Sequence, residues 1–170
     1  MIAVLRIGHR ISRDKRITTH VALVARAFGA DNIIISTKDQ QIEDNIRSIC
    51  KRFGGDFDIK TGADHKKIIK QWSGNIVHLT MYGETLDKSI NTIDKKKDLL
   101  IIVGAEKVPP EIYEMANFNV SVGNQPHSEV ASLAIFLDRY TGGKWQDKQF
   151  SGKIEILPNN TRKNVISKDT

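Results

Sequence analysis

The stretch NVSVGNQPHSEVASLAIFLDRY, residues 119–140, changes its hydrophobic period half-way along. Val120 and Val122 alternate with polar residues, which predicts a strand that ends near Gly123. A strongly apolar run from Val130 onward has helical spacing instead. Because a strand that stops just before a helix leaves backbone N–H groups without partners, the turn between the two is a candidate ligand site.

Apolar runs elsewhere in the chain predict further strands. They lie at residues 2–7, 33–35, 76–81 and 99–103, with a weaker run at 154–157. Helical spacing occurs between them at residues 21–28, with Thr18 or Thr19 as the N-cap, and at residues 42–53. Short, almost continuous strands that alternate with helices predict an α/β fold, with a mostly parallel sheet and helices on both faces.

The length of 170 residues suits a single domain, which we place at residues 1–157. The tail at residues 158–170 loses apolar periodicity and is expected to be poorly ordered. No apolar run approaches the ~20 residues that a membrane-spanning helix needs. A single cysteine, Cys50, is typical of a reducing cytosol. We therefore expect a cytoplasmic protein with no membrane contact.

Basic side chains are concentrated at the start of the chain. The formal net charge is +6, and the first sixteen residues hold four arginines and one lysine against a single acid, Asp14. Such a surplus is typical of a surface that binds a polyanion, and arginine favours two-point contacts with phosphate. A solvated basic loop is the alternative. None of the five histidines has the spacing of a zinc motif, so no metal is expected.

Three predicted strand ends carry a glycine among polar residues: HLTMYGE at 78–84, VGAEKVPPE at 103–111 and VGNQPHSE at 122–129. Ligands gather at the carboxyl ends of parallel strands, and glycine there permits close backbone approach or a positive φ. The three loops are therefore expected to form one pocket. Glu106 and Glu129 are candidates for holding an amino-bearing or cationic ligand. Alternatively, Glu106 pairs with Lys107 on the surface, and Glu129 interacts with the helix dipole.

The helix from Val130 onward is apolar on more than one side. Val130, Leu133 and Leu137 form one stripe, while Ile135 and Phe136 fill much of the remaining surface. Such a helix must be covered on two sides, either deep within the monomer or by a second subunit.

Four blocks of the sequence resemble one known family. The blocks are LRIGHRISRDKRITTHVALVARAFGAD, HLTMYGE, IIVGAEKVP and VGNQPHSEVASLAIFLDR. They resemble the archaeal tRNA (cytidine(56)-2′-O)-methyltransferases of the SPOUT superfamily, over residues 1–157 except about 56–75. The resemblance implies S-adenosylmethionine as cofactor, tRNA as substrate, a homodimer, and a deep trefoil knot in the C-terminal part of the chain.

The resemblance also implies which residues form the site. The implied cofactor contacts are Leu79, Gly104, Ala105, Glu106, Lys107, Val108, Val122, Gly123, Asn124, Gln125, Pro126, His127, Ser128 and Glu129. An N-terminal arginine commonly acts at the ribose hydroxyl in such enzymes, which points to Arg10 or Arg16. Because its pKa above ~12 makes arginine a poor base, we expect it to hold a phosphate and to stabilise negative charge on oxygen. The predicted tRNA contacts are the basic residues of the first segment: Arg6, Arg10, Arg13, Lys15 and Arg16.

Two other functions fit parts of the sequence. The basic N-terminal segment alone would suit a non-catalytic RNA-binding module, which needs no small-molecule pocket. A nucleotide-dependent α/β enzyme would suit the fold class, but GHRISRDKR follows the first strand where a phosphate-binding glycine motif would lie. The expected pocket argues against the RNA-binding module, and the missing glycine motif argues against the nucleotide-dependent enzyme. The methyltransferase is therefore favoured over both.

Overall fold

The centre of the protein is a six-stranded sheet. The computed structural model describes residues 1–105 and 107–168. The strand order is β3-β2-β1-β5-β4-β6, and all neighbouring pairs run parallel. The prediction of a mostly parallel sheet is therefore confirmed. The strands are β1 Ile2–Ile7, β2 Asn32–Ile35, β3 Asp58–Thr61, β4 Asn75–Thr85, β5 Leu99–Gly104 and β6 Phe118–Ser121.

Helices cover both faces of this sheet, as predicted. They are α1 Lys15–Ala27, α2 Gln40–Phe53, α3 His65–Gln71, α4 Leu86–Ser89, α5 Pro110–Met115 and α6 Glu129–Thr141, with a 3-10 helix at Lys144–Asp147. One core cluster joins the sheet to α1, α2 and α6, and it includes Val21, Ile42 and Phe136. The other joins the opposite face to α3 and α5 through Ile69 and Ile112.

Several elements differ from the sequence-based expectation. Helix α1 begins at Lys15 after Asp14, so Thr18 and Thr19 lie inside it. Thr18 is fully buried and its hydroxyl contacts a ring nitrogen of His9. Strand β3 and helix α3 were not predicted, because each is too short to show a clear hydrophobic period.

The tail also differs from its prediction. Strands β7 Ile154–Ile156 and β8 Val165–Ser167 pair antiparallel as a two-stranded sheet. The expectation of a poorly ordered tail is therefore wrong for residues 165–167. Inter-strand pairing supplies the regular structure here, and three residues are too few to show an alternating pattern. Within residues 1–105 and 107–168, no helix is long and apolar enough to cross a membrane.

A buried carboxylate ties α2 to the edge strand β3. Glu43 is 4% exposed, and its Oε1 accepts hydrogen bonds from the backbone N (2.8 Å) and the hydroxyl (2.6 Å) of Thr61. Lys38 Nζ lies 2.8 Å from the same oxygen, and Arg47 Nη2 lies 3.1 Å from Oε2. The bond from Lys38, followed by those from Thr61, lowers the pKa of Glu43 to about 2.

This pKa shift predicts how stability depends on pH. A carboxylate whose pKa is lowered in the folded state stabilises that state above its unfolded pKa, and the contribution is lost as pH falls through both values. We expect Glu43→Gln to lower the thermal midpoint at pH 7, and the difference from wild type to shrink between about pH 5 and about pH 2. The exposed Glu114→Gln controls for the loss of one surface carboxylate. A constant difference for Glu43→Gln between pH 7 and pH 3 would contradict this role.

Candidate functional site

The three strand ends singled out in the sequence meet at one cavity. It has a volume of about 730 Å³ and lies at the carboxyl ends of β4, β5 and β6. The residues lining it are His78, Leu79, Thr80, Met81, Tyr82, Gly104, Ala105, Lys107, Val108, Pro109, Pro110, Tyr113, Val122, Pro126, His127, Glu129 and Ser132. Its size and mixed polarity are those of a site for a small molecule or cofactor.

Most of the predicted cofactor contacts lie in this wall. Glu106 lies outside the described residues. Asn124 and Ser128 belong to the adjoining turn: Asn124 Nδ2 donates to Met81 O at 2.8 Å, and Ser128 caps α6 by accepting from Val130 N at 3.2 Å. Gly123 and Gln125 lie in the same turn. The predicted residues found in the wall are Leu79, Gly104, Ala105, Lys107, Val108, Val122, Pro126, His127 and Glu129.

Sequence reasoning missed several wall residues. Thr80, Met81 and Tyr82 lie within the quoted HLTMYGE block, so their position at the end of a predicted strand was the available signal. Tyr113 and Ser132 come from α5 and α6. Their contribution depends on how those helices pack, which hydrophobic spacing does not reveal.

Gly123 does not adopt the positive φ that its place at a strand end suggested. Its φ lies outside the left-handed region, and an added Cβ would meet no atom within 4 Å. The expectation of a positive φ is therefore wrong at this position, whereas close approach to a ligand stays a prediction. Gly83 is the more constrained residue, because a Cβ there would overlap the Asn119 carbonyl oxygen.

Arg6 is a structural residue. Its side chain is 0% exposed, so the prediction that it contacts tRNA is wrong. Position 6 lies on β1 between strands β2 and β5, where it cannot reach solvent. Its Nη1 donates to Gly104 O at 2.7 Å, and its Nη2 donates to Glu129 Oε1 at 2.7 Å. Arg6 therefore joins the end of β5 to the start of α6, and both of its partners line the cavity.

The remaining basic residues of the first segment follow β1, and none of them lines the cavity. Arg10 makes a two-point contact with Asp14, with Nε to Oδ2 at 2.8 Å and Nη2 to Oδ1 at 3.0 Å. These bonds lower the pKa of Asp14 to about 2 and raise the pKa of Arg10. Lys15 Nζ contacts Gln41 Oε1. Arg13 and Arg16 are exposed, and within residues 1–105 and 107–168 neither side chain has a hydrogen-bond or ion-pair partner.

Strand pairing places the start of the arginine segment, residues 10–16, next to the cavity loops. Ala105 N donates to Ile7 O at 2.9 Å, so the loop after β5 lies against the end of β1. A smaller cavity of about 210 Å³ is lined by Ile7 and Gly8 on one side and by Gly104, Ala105 and Val108 on the other. Arg10 follows Gly8 by two residues, although none of the arginines lines the large cavity itself.

A buried histidine fixes the base of the arginine segment. His9 is 3% exposed; its Nδ1 lies 2.9 Å from Thr18 Oγ1 and its Nε2 lies 3.2 Å from Asp39 Oδ2. Its carbonyl oxygen accepts from Thr37 Oγ1 at 2.7 Å. The backbone just before Arg10 is thus held by α1 and by the β2–α2 connection.

The cavity wall also contains a histidine whose protonation can be deduced from its neighbours. Asn119 Nδ2 donates to Tyr113 O at 2.9 Å, so Asn119 Oδ1 faces His78 Nδ1, 2.9 Å away, and that nitrogen must carry the proton. Burial lowers the pKa of His78, which keeps the ring neutral. Its Nε2 is then a lone-pair acceptor, with no hydrogen-bond partner among residues 1–105 and 107–168.

Comparison with known proteins decides the family. A family model described as tRNA ribose 2′-O-methyltransferase, aTrm56, matches residues 53–166. A tRNA (cytidine(56)-2′-O)-methyltransferase of Picrophilus torridus is 56% identical over 165 residues, which is 97% of this chain and 48% of the relative. One from Thermococcus kodakarensis is 55% identical over 174 residues, which is 98% of this chain and 97% of the relative. The chain belongs to the aTrm56 family. It spans about half the length of the Picrophilus relative and almost all of the Thermococcus one.

The fold of this aTrm56-family chain is also found in solved structures. The SpoU methyltransferase AviRb from Streptomyces viridochromogenes, in complex with AdoMet, aligns with a TM-score of 0.60 at 14% identity. The alignment covers 88% of this chain and 58% of AviRb. At this identity the likeness is one of fold, and it agrees with the α/β arrangement of a mostly parallel sheet with helices.

The Arg6–Glu129 pair leads to a stability prediction for this member of the aTrm56 family. Breaking a fully buried ion pair costs about 3–5 kcal/mol, and the cost is smaller here because the Glu129 carboxylate left behind is 26% exposed and reaches water. We expect Arg6→Met to lower the free energy of unfolding in urea by about 1–3 kcal/mol, and the added change Glu129→Gln to restore part of the loss. The exposed Arg13→Ala should change it by less than about 0.5 kcal/mol. Equal stability of Arg6→Met and Arg13→Ala would rule out this role.

Proposed function

We propose that this chain transfers a methyl group from S-adenosylmethionine to the 2′-hydroxyl of cytidine 56 in tRNA. Membership of the aTrm56 family gives the reaction class, and the names of the relatives give the nucleotide. The observation that carries the proposal is the 730 Å³ cavity beside an arginine segment, because it combines a cofactor-sized site with a polyanion-binding surface.

The residues of the cavity fit S-adenosylmethionine. Leu79, Val108 and Val122 offer apolar surface to its adenine, and the backbone of the turn after Val122 offers polar groups. His78 Nε2 is a buried acceptor with no partner in the described chain, so a ligand amino group could bind it only if the wall around this residue opened. When bound, the cofactor supplies an activated methyl group on a sulfonium. The chain must then position the ribose and assist the loss of the hydroxyl proton.

The arginine segment supplies the substrate side of the site. The contacts with Asp14 raise the pKa of Arg10, which makes it a still weaker base than a free arginine. The same contacts fix its guanidinium plane, which suits it to hold the phosphate next to the target ribose and to stabilise charge on oxygen. Arg16, exposed in the first turn of α1, is assigned the same kind of role, and Arg13 and Lys15 dock more distant phosphates.

We also propose that the protein works as a homodimer in the cytoplasm. Phe136 and Leu133 of α6 are 0% exposed and face the core of their own chain, so only part of this helix is available to a partner. Ile135 is 44% exposed on the other side, next to Ala131 and Arg139. A second subunit packed on Ala131 and Ile135, with Arg139 at the edge of the contact, gives α6 the two-sided cover that its sequence predicts.

A trefoil knot in the C-terminal part of the chain is a further part of the proposal. Strand β4 pairs with β6 twice, since Val120 lies opposite both Leu79 and Glu84. Residues 80–83 bulge out between these two pairings, and Asn124, just after β6, binds the carbonyls of Met81 and Gly83. These bonds hold the turn after β6 against residues 80–83, a contact that is compatible with threading of the later segment through an earlier loop.

Single-turnover methylation of a tRNA transcript tests the reaction and the arginine roles. The wild-type protein should methylate a transcript with cytidine at position 56 and should not methylate one with 2′-deoxycytidine there. Arg10→Ala and Arg16→Ala should each lower the rate at saturating tRNA by about 100-fold or more, because each removes a charge that acts on the reacting oxygen. Lysine at either position should not restore the rate, since it lacks the planar fork.

Two controls belong with this measurement. Arg13→Ala should raise the half-saturating tRNA concentration while leaving the rate at saturation unchanged. Arg52→Ala, exposed at the far end of α2, should match wild type. Methylation of the 2′-deoxy transcript would refute the ribose as acceptor. Normal rates for both Arg10→Ala and Arg16→Ala would mean that the arginine segment binds tRNA but takes no part in the methyl transfer.

A further inference from the structure

Four residues of β4 lie outside its pairing with β6, at the rim of the cavity. Strand β4 is in register with β6 up to the pair Leu79–Val120, and pairing resumes at Glu84, again opposite Val120. Residues 80–83 between them therefore form a bulge. Thr80, Met81 and Tyr82 of this bulge line the cavity. A bulge next to a functional site commonly redirects a side chain.

The bulge is held in place from several directions. Asn124 Nδ2 donates to Met81 O at 2.8 Å, and Gly83 O lies 3.4 Å from the same nitrogen. Thr80 Oγ1 lies 3.0 Å from Tyr113 Oη. The backbone of Gly83 packs so closely on Asn119 that no larger residue fits there. Tyr82 is therefore presented on a fixed support.

Tyr82 is exposed to an unusual degree for a large side chain. It is 74% exposed, more than any other large apolar side chain in the described chain. Within residues 1–105 and 107–168, its ring makes no aromatic or cation contact. A rigidly presented aromatic ring that contributes nothing to the core suggests a partner with a flat face.

We propose that Tyr82 stacks on the base of the RNA nucleotide whose ribose is methylated. The inference rests on the proposed function and adds a residue that recognises the substrate. The target ribose must enter the cavity mouth to meet the cofactor, and its base then projects to the rim, where Tyr82 lies. Proteins commonly recognise unstacked RNA bases by stacking them on Tyr, Phe or Trp. Lys107 in the same wall provides a cation for the neighbouring phosphate.

A double-mutant cycle isolates this contact. Wild type, Tyr82→Ala and Tyr82→Phe are each titrated with two tRNA transcripts, one intact and one with an abasic ribonucleotide at the target position, both with S-adenosylhomocysteine present. Tyr82→Ala should weaken binding of the intact transcript by about 5- to 100-fold, which is the usual effect of losing one base–aromatic stack. Tyr82→Phe should remain within about 2-fold, because it keeps the ring. On the abasic transcript all three proteins should bind equally.

Further measurements separate this inference from its rivals. Ile156→Ala, which also removes an exposed apolar side chain but at the distant hairpin, should match wild type on both transcripts. Affinity for S-adenosylhomocysteine alone should be the same in all variants. An equal loss of affinity for Tyr82→Ala on both transcripts, or no loss on either, would overturn the proposal. In sedimentation, a smaller species for Tyr82→Ala than for wild type would also overturn it, because Tyr82 would then belong to a subunit contact. A wild type that binds the transcripts without methylating them would refute the proposed function, while the binding cycle would still test Tyr82.

Discussion

A guanidinium that is sealed from water must find its partners inside the protein, and Arg6 is such a group. It lies in the middle of the sheet, and its two terminal nitrogens bind the Gly104 carbonyl and the Glu129 carboxylate at 2.7 Å, while its Nε has no hydrogen-bond partner in the described chain. An unpaired charge at this depth would cost several kcal/mol. The end of β5 and the start of α6 must therefore lie where Arg6 can reach them, and that requirement fixes two walls of the cavity.

The order of the strands places the two halves of the candidate site side by side. β1 carries the arginine segment and pairs with β5, while β5, β4 and β6 carry the cavity loops. Because all six strands run parallel, these ends lie at one edge of the sheet. His9 and Asp14 then fix the backbone and the guanidinium of Arg10 by hydrogen bonds within the chain. The cavity and the basic segment thus lie at neighbouring strand ends, which is the arrangement that the proposed reaction needs.

Much of the fold could be predicted from hydrophobic period, because the central strands are almost continuous runs of Ile, Val and Leu. β3, α3 and β8 could not, since each is short and its order comes from neighbouring elements. The three glycine-bearing strand ends predicted the position of the cavity. The role of Arg6 was missed because counting charge along the chain ignores that Leu5 and Ile7 mark it as part of a buried strand. Tyr82 was missed because its exposure arises from a bulge, and a bulge depends on strand pairing.

The central claim is that the cavity at the ends of β4, β5 and β6 binds S-adenosylmethionine. Calorimetric titration with S-adenosylhomocysteine tests it most directly, using wild type and Ala105→Trp, whose indole would fill space in the cavity wall. The account predicts one site per chain in wild type, no response to ATP or NAD, and no measurable binding to an Ala105→Trp protein that is folded by circular dichroism. Equal binding to wild type and folded Ala105→Trp, or no binding to wild type, would contradict it.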